Sequence, residues 1–294
     1  QIRLRRLCKY LSNSGIHFIC KGSFFVKEIV MILKEQFQNM GMIFRMSRYE
    51  DKATYQSHYL GLAWQILNPA IQVGIYYLVF GIGVNQGREI SGVPFIVWML
   101  IGITAWFYMS ASILGASNSI HRQVGMVAKM KFPVSVLPTI NIVSNLSSYF
   151  PMVMIVVFSV IALGGTPSLY WLQYLYYFFC MIAFLFSFGI LNATITVLIR
   201  DYHIFLQSVL RLLFYVSGPI WDIQNKSLPS WMVKILQLNP IYYIIEGFRD
   251  TFLNRAWFWE KTTYGLIFWG FVFILLILGT HLHMKFRAKF VDYI

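Results

Sequence analysis

The sequence predicts an all-α integral membrane protein with six transmembrane helices, and three observations predict it. Hydrophobic residues make up 58% of the 294 and charged residues only 12%, with a mean hydropathy of +0.62. A soluble domain carries about twice that charge fraction. Several apolar runs reach the roughly 18–20 residues that cross a hydrocarbon core of about 30 Å. Those runs lack the alternating pattern of a membrane β-barrel, so helices are the spanning element.

Residues 1–30 are basic, with scattered aromatics and no clean period, and read as a poorly specified N-terminal extension. Lys21 and Lys27 interrupt the apolar stretch, so it does not read as a signal peptide. Residues 31–62 follow as an amphipathic helix and linker. Over 31–48, Ile32, Leu33, Phe37, Met40, Ile43 and Phe44 recur at three- and four-residue steps, while Lys34, Glu35, Gln38 and Arg45 fall mostly elsewhere. That pattern predicts a helix lying in the headgroup plane, either as a simple anchor or as a docking element.

Residues 63–294 form the membrane domain. Hydropathy predicts spans over 64–84, 95–120, 134–163, 171–199, 205–221 and 262–284. The connection 121–131 is polar and basic and is followed by Pro133, which suits the first turn of the next helix. A short helix parallel to the membrane is expected there. The connection 222–261 holds two apolar runs too short to cross, broken at Asn239-Pro240, which predicts a re-entrant or interfacial helical hairpin. Lys and Arg crowd the N-terminal segment, the second connection (Arg122, Lys129, Lys131) and the tail (Lys285, Arg287, Lys289). The first connection holds only Arg88 and the third none, so both termini are expected in the cytoplasm of a multi-pass plasma-membrane protein.

Polar residues inside the spans fall in stripes. Gln65, Asn68, Gln72 and Tyr76 share one face of the first span, Asn141, Asn145 and Ser148 one face of the third. His203, Gln207, Arg211 and Tyr215 lie four apart in the fifth. An amide left unpaired in lipid costs several kcal/mol, so each stripe either glues helices together or faces a wet cavity. Arg211 lies eleven residues beyond Arg200, roughly 16 Å along a helix axis. A charge at such depth costs at least about 2.5–3.5 kcal/mol. Its partners are helix carbonyls, the membrane surface reached by snorkelling, or an anionic substrate.

The net charge of +13 does not indicate nucleic acid, because the basic residues lie between and beside spans rather than on one soluble face. Cys8, Cys20 and Cys180 form no CxxC, and neither HExxH nor any other metal-binding spacing occurs. The chain holds no GxxxxGK[ST], GxSxG or SxxK and no clustered carboxylates. No catalytic residue and no cofactor of its own are therefore expected. A membrane-embedded transferase would have to use His121, His203 or Asp201, which form no recognisable arrangement. An ion-coupled carrier would need a mid-membrane carboxylate.

Five segments carry a resemblance: YLGLAWQILNPAIQVGIYYLVFG (59–81), WMLIGITAWFYMSASILGASNSI (98–120), MVAKMKFPVSVLPT (126–139), IRDYHIF (199–205) and LNPIYYIIEGFRD (238–250). Together they resemble the ABC-2 type permeases that export cell-surface polysaccharides, and within them the branch that translocates teichoic acid in Gram-positive bacteria; the closing KFRAKFVDYI (285–294) fits the same branch. The resemblance implies the ABC-2 exporter fold and a pair of permeases above two separate ATPase chains, which bind ATP and Mg. It makes 31–48 an interface helix, with Lys34, Phe37, Phe44 and Arg45, and 121–131 a coupling helix, with His121, Arg122, Gln123, Val124, Met126, Lys129 and Lys131. Residues 222–261 become an extracellular hairpin. The implied cargo is a poly(glycerol or ribitol phosphate) chain on undecaprenyl diphosphate, with another surface polysaccharide or a small amphipathic drug as the alternative. Arg48, Lys52, Gln65, Asn68, Gln72, Tyr76, Arg200, His203, Gln207, Arg211 and Tyr215 are the expected passage residues, since the planar fork of Arg suits phosphate.

Overall fold

The computed structural model describes residues 14–55, 59–84, 89–90, 92–123, 125, 132–199, 201–223, 229–287 and 290. Nearly all of them are helical. Five helical stretches are long and apolar enough to cross a membrane: Trp64–Val84, Phe95–Arg122, Val134–Ala162, Leu169–Leu198 and Thr262–Phe286. They match five of the six predicted spans to within a few residues. Among the described residues, Tyr202–Val216 is a further apolar helix, shorter than these five.

The chain opens with α1 (Ser14–Gln38) and α2 (Met40–Tyr55). The amphipathic segment predicted over 31–48 therefore runs through two helices rather than one. The break is at Asn39, whose side-chain amide bonds the Glu35 carbonyl at 2.8 Å, an Asn competing with helix continuation. The helical phase carries across the turn, and the predicted apolar face divides into two neighbouring rows. Ile32 and Ile43 are buried against the bundle, whereas Leu33, Phe37, Met40 and Phe44 stay exposed together with Val26 and Val30. Polar ties hold the buried side: Gln36 Nε2 donates to the Ser135 carbonyl at 2.9 Å, Ser135 Oγ donates to Glu35, Arg287 bonds Glu35, and His281 bonds Glu28. These contacts define the near end of the bundle.

α3 (Trp64–Tyr76) continues as a π-helix, Tyr77–Val84. Pro69 sits inside it and leaves the Gln65 carbonyl without its helical donor. α4 (Phe95–Arg122) is the central pillar, buried over most of its length. The next stretch bends at Asn145 into α5 (Leu137–Ser144) and α6 (Leu146–Ala162), and Pro151 leaves the Ser147 carbonyl in the same state. The two proline-weakened turns meet, because Gln65 Nε2 donates to Ser147 Oγ at 3.2 Å. α7 (Tyr174–Leu198), entered through the short 3₁₀ turn Leu169–Gln173, packs on α4 and on the last helix α11 (Thr262–Phe286).

The predicted fifth span, 205–221, is shorter than expected. α8 runs Tyr202–Val216, 15 residues, or about 22 Å. The chain leaves the helix at Ser217 because Gly218 takes φ +63° and precedes Pro219, which disfavours helical geometry in the residue before it. Residues 217–220 turn inward and are buried. Both apolar runs of the 222–261 connection form helices, α9 (Ser230–Gln237) and α10 (Pro240–Phe252). Asn239 caps α10, its Oδ1 accepting from the Ile241 amide at 3.0 Å, with Pro240 at the first position.

Every residue of α10 from Ile241 to Phe252 is buried, its charges included. Arg249 Nη1 pairs with Glu246 at 2.8 Å, and Nη2 donates to the Gly218 and Pro219 carbonyls at 2.9 and 3.0 Å. The guanidinium lies over the Trp98 ring, 3.3 Å from its centroid. α10 and the ends of α4 and α8 are thereby joined at the far end of the bundle. Two glycines permit it. A Cβ on Gly102 would stand 2.6 Å from Arg249 Nη2 and 2.7 Å from the Pro219 carbonyl, and one on Gly247 would stand 2.1 Å from the Tyr177 ring.

Two outcomes are expected for purified protein in detergent. Arg249→Met leaves Glu246 unpaired in a dry site and should cost about 3–5 kcal/mol of stability; adding Glu246→Gln should restore part of it. Gly102→Ala should cost about 1–3 kcal/mol by overpacking. Thermal unfolding followed by size-exclusion chromatography checks both.

Candidate functional site

α8 carries two kinds of surface. Leu206, Leu210 and Phe214, four apart, are buried. The stripe one residue further on, Gln207, Arg211 and Tyr215, faces outward, Gln207 half-buried and the other two exposed. On α3, Val73 and Gln65 point inward, while Asn68 and Gln72 are exposed. The two helices touch at one end: Tyr76 of α3 packs on Phe214 at 5.4 Å, and Phe214 packs on Trp106 of α4 at 5.5 Å. The chain thus presents Asn68, Gln72, Gln207 and Arg211 on the surface of otherwise apolar helices. Among the described residues, no hydrogen bond or ion pair reaches Arg211.

Some predicted passage residues are turned elsewhere. Gln65 is taken up by Ser147, and His203 Nδ1 lies 2.8 Å from Ser117 Oγ of α4. Arg48 and Lys52 are exposed on α2. Arg200 lies outside the described residues. The stripe of the third span is glue: Asn141 Oδ1 accepts from Arg122 Nη2 at 2.9 Å, and Asn145 Nδ2 donates to Ser112 Oγ at 3.3 Å.

Of the expected coupling segment, His121 and Arg122 are exposed at the near end of α4, and Gln123 Nε2 donates to Glu50 of α2 at 2.7 Å. Val124, Met126, Lys129 and Lys131, and with them most of the expected 121–131 helix, fall outside the described residues. Lys34, Phe37, Phe44 and Arg45 are all exposed on α1 and α2, with Arg45 Nε bonded to the Gly41 carbonyl.

Sequence reasoning missed the charges of α10. Burial pushes the Arg249 guanidinium down from its ordinary value, against the pull of Glu246, and pushes the Asp250 carboxyl up, against the pull of Lys261. The signal was present: Glu246, Arg249 and Asp250 fall within five residues of a helix whose remaining faces are apolar, so no orientation of that helix on a bundle exposes them all.

Comparison with known proteins identifies the family. Residues 42–253 match the family model described as ABC-2 type transporter. The chain is 26% identical over 230 residues to an O-antigen export system permease protein RfbA of Myxococcus xanthus, covering 77% of this chain and 86% of the relative. Two proteins of the same description from Klebsiella pneumoniae are each 24% identical, one over 86% of this chain and 96% of its own length, the other over 89% and 99%. A family match across well over half of the chain, on a bundle of apolar helices of spanning length, shows that this multi-pass membrane protein belongs to the ABC-2 type transporter family.

Proposed function

We propose that the chain is the permease subunit of an ATP-driven exporter that moves a lipid-linked surface polysaccharide from the cytoplasmic to the outer side of the membrane. It works as two copies docked on a separate ATPase, which binds ATP and Mg²⁺. The observation that carries this reading is the exposed polar face on α3 and α8. Asn68, Gln72 and Arg211 facing lipid would each be disfavoured by about 2–3 kcal/mol or more. Facing a second copy across a wet passage, they are solvated and useful.

The other elements take places consistent with this. Both termini lie in the cytoplasm, as the Lys and Arg distribution indicates. α8 makes the sixth crossing, completed by the irregular 217–221 segment, and α9–α10 form the re-entrant hairpin on the outer side. α1 and α2 lie along the inner interface, their exposed Leu33, Phe37, Met40 and Phe44 entering the headgroup region. The 121–131 segment meets the ATPase. Its tie to α2 through Gln123 and Glu50 would let a push on that segment reach the interface helices.

The cargo class is supported by the O-antigen export relatives. Within that class the sequence resemblance favours a polyol-phosphate chain, a teichoic acid carried on undecaprenyl diphosphate. Arg211 is the observation that favours phosphate, because one guanidinium on a polar face attracts an anionic chain without trapping it.

Two experiments test the reading. Arg211→Ala, with expression and ATPase co-purification unchanged, should lower surface polymer about tenfold, the worth of one charge-assisted hydrogen bond, and Arg211→Lys should retain part of the activity; normal display by Arg211→Ala removes Arg211 from the passage. In proteoliposomes, a phosphate-bearing lipid-linked polymer should stimulate the ATPase more than a neutral one, and added salt should narrow the difference.

A further inference from the structure

The far end of the bundle holds a cleft that neither the fold nor the passage uses. It lies between α9, α10, the start of α11 and the first turn of α7, with a cavity of about 60 Å³. Tyr177, Tyr243, Glu246 and Asp250 make its buried floor, and Gln237 and Tyr264 stand at its half-exposed rim. Tyr264 Oη donates to Gln237 Oε1 at 2.8 Å across the opening.

Charge decides what class of ligand fits. Glu246 engages Arg249 through Oε1, and Asp250 engages Lys261 through Oδ2. Each acid that lines the cleft is already paired with a cation, which leaves an ammonium group little to gain, and the two carboxylates themselves disfavour a phosphate; Arg255, whose buried Nη2 has no partner among the described residues, does not line the cleft. The second oxygen of each carboxylate, Oε2 and Oδ1, takes no hydrogen bond from any described residue. Two acceptors with spare capacity therefore sit among tyrosine rings, which offer apolar faces and polar tips together. A neutral unit with apolar C–H faces and several hydroxyls is the ligand that uses both. The cavity is small, so hydroxyls would enter it while the ring that bears them rests on the rim.

We propose that this cleft is an exit-side binding site for a hydroxyl-bearing unit of the exported polymer, with Glu246 and Asp250 accepting from adjacent hydroxyls and Tyr264 and Gln237 holding the ring. The inference rests on the export reading and adds to it a contact away from the α3–α8 face. Such a contact would draw the emerging chain outward and oppose its return through hydrogen bonds to carboxylates that are already paired, and hence without the hold of an unpaired charge.

The test is site-specific photocrosslinking in cells expressing the full permease with its ATPase. Benzoylphenylalanine replaces Tyr264, Gln237 or, as a control, Leu266, which is exposed on the same helix as Tyr264. The probe is the cell's own polymer, labelled by growth on carbon-14 glucose. The expected result is a labelled adduct at 264 and 237, at least about fivefold above that at 266, the discrimination one neutral hydrogen bond supplies. Unaltered polymer display with no adduct above control at either position overturns the site and leaves the export reading standing. If benzoylphenylalanine at either position stops display, Tyr264→Phe decides: fully normal display by that variant overturns the site, and a severalfold loss supports it. Unchanged surface polymer in cells lacking the chain overturns the export reading itself.

Discussion

The structure depends on a guanidinium that has no water around it. Arg249 sits in the packed far end of the bundle, and an ionised group in such a place must be supplied with acceptors or be strongly disfavoured. Three elements supply them. α10 provides Glu246, the turn after α8 provides two carbonyls, and α4 provides the face of Trp98. Gly102 provides the space. The same contacts answer a second need. A helix that stops at Val216, inside a bundle of longer helices, leaves backbone carbonyls beyond its end that lipid would not satisfy. Arg249 takes two of them, and the Trp221 indole takes the Tyr215 carbonyl at 2.7 Å. One side chain thus makes the short α8 tolerable and fixes where it ends.

That anchoring shapes what α8 can do. Its far end is tied to α10 and its near end to α4, through His203 and Ser117. Its middle, with Gln207 and Arg211, has no such hold on the exposed side. The polar stripe is therefore presented by a helix fixed at both ends, and α8 would move only with α10 or with α4. In the proposed pair of permeases, a passage between α3 and α8 of the two copies widens by shifting whole elements rather than by bending α8. α3 is the better candidate for independent movement. Most of its surface is exposed in the single chain, Pro69 removes one of its internal hydrogen bonds, and its outer half is wound as a π-helix.

Most of the fold was legible because the bilayer imposes a simple rule. Long apolar runs must be helices, and five of the predicted spans are present at nearly the predicted residues. What was not legible is local. The apolar face predicted over 31–48 is wider than the part that packs: one row, Ile32 and Ile43, meets the bundle while the neighbouring row, Leu33, Phe37, Met40 and Phe44, does not, and hydrophobic period alone cannot say which row finds a partner. The end of α8 was signalled by Gly218-Pro219, but the apolar run through Trp221 outweighed it in a hydropathy window. The site was partly legible. Helical spacing placed Gln207, Arg211 and Tyr215 on one face, as the structure has them. Spacing could not say that Gln65 and His203, members of the same two stripes, turn to Ser147 and Ser117, because that depends on which neighbouring helix packs where.

Two arginines, one at the far end of the bundle and one in the middle of α8, show why a charge in an apolar helix is not by itself a functional mark. Arg249 has partners for both of its terminal nitrogens, a carboxylate and two carbonyls, with an aromatic face beneath it and almost no exposure; only its Nε finds no acceptor among the described residues. Removing its charge partner would harm folding wherever the polymer goes. Arg211 has the opposite surroundings, exposed and joined to no described residue by hydrogen bond or ion pair. Snorkelling along the helix would relieve some of its cost, but Asn68 and Gln72, on α3 beside α8, have side chains too short to snorkel. Three polar groups on the exposed surface of two adjacent helices share one explanation more economically than three. In the proposed pair of permeases the surface they occupy is turned away from lipid, and what it meets there would have to solvate amides and a guanidinium at once. Water and a hydroxyl- or phosphate-bearing chain do so, whereas a dry helix–helix contact would need the acceptor set that Arg249 has and Arg211 lacks.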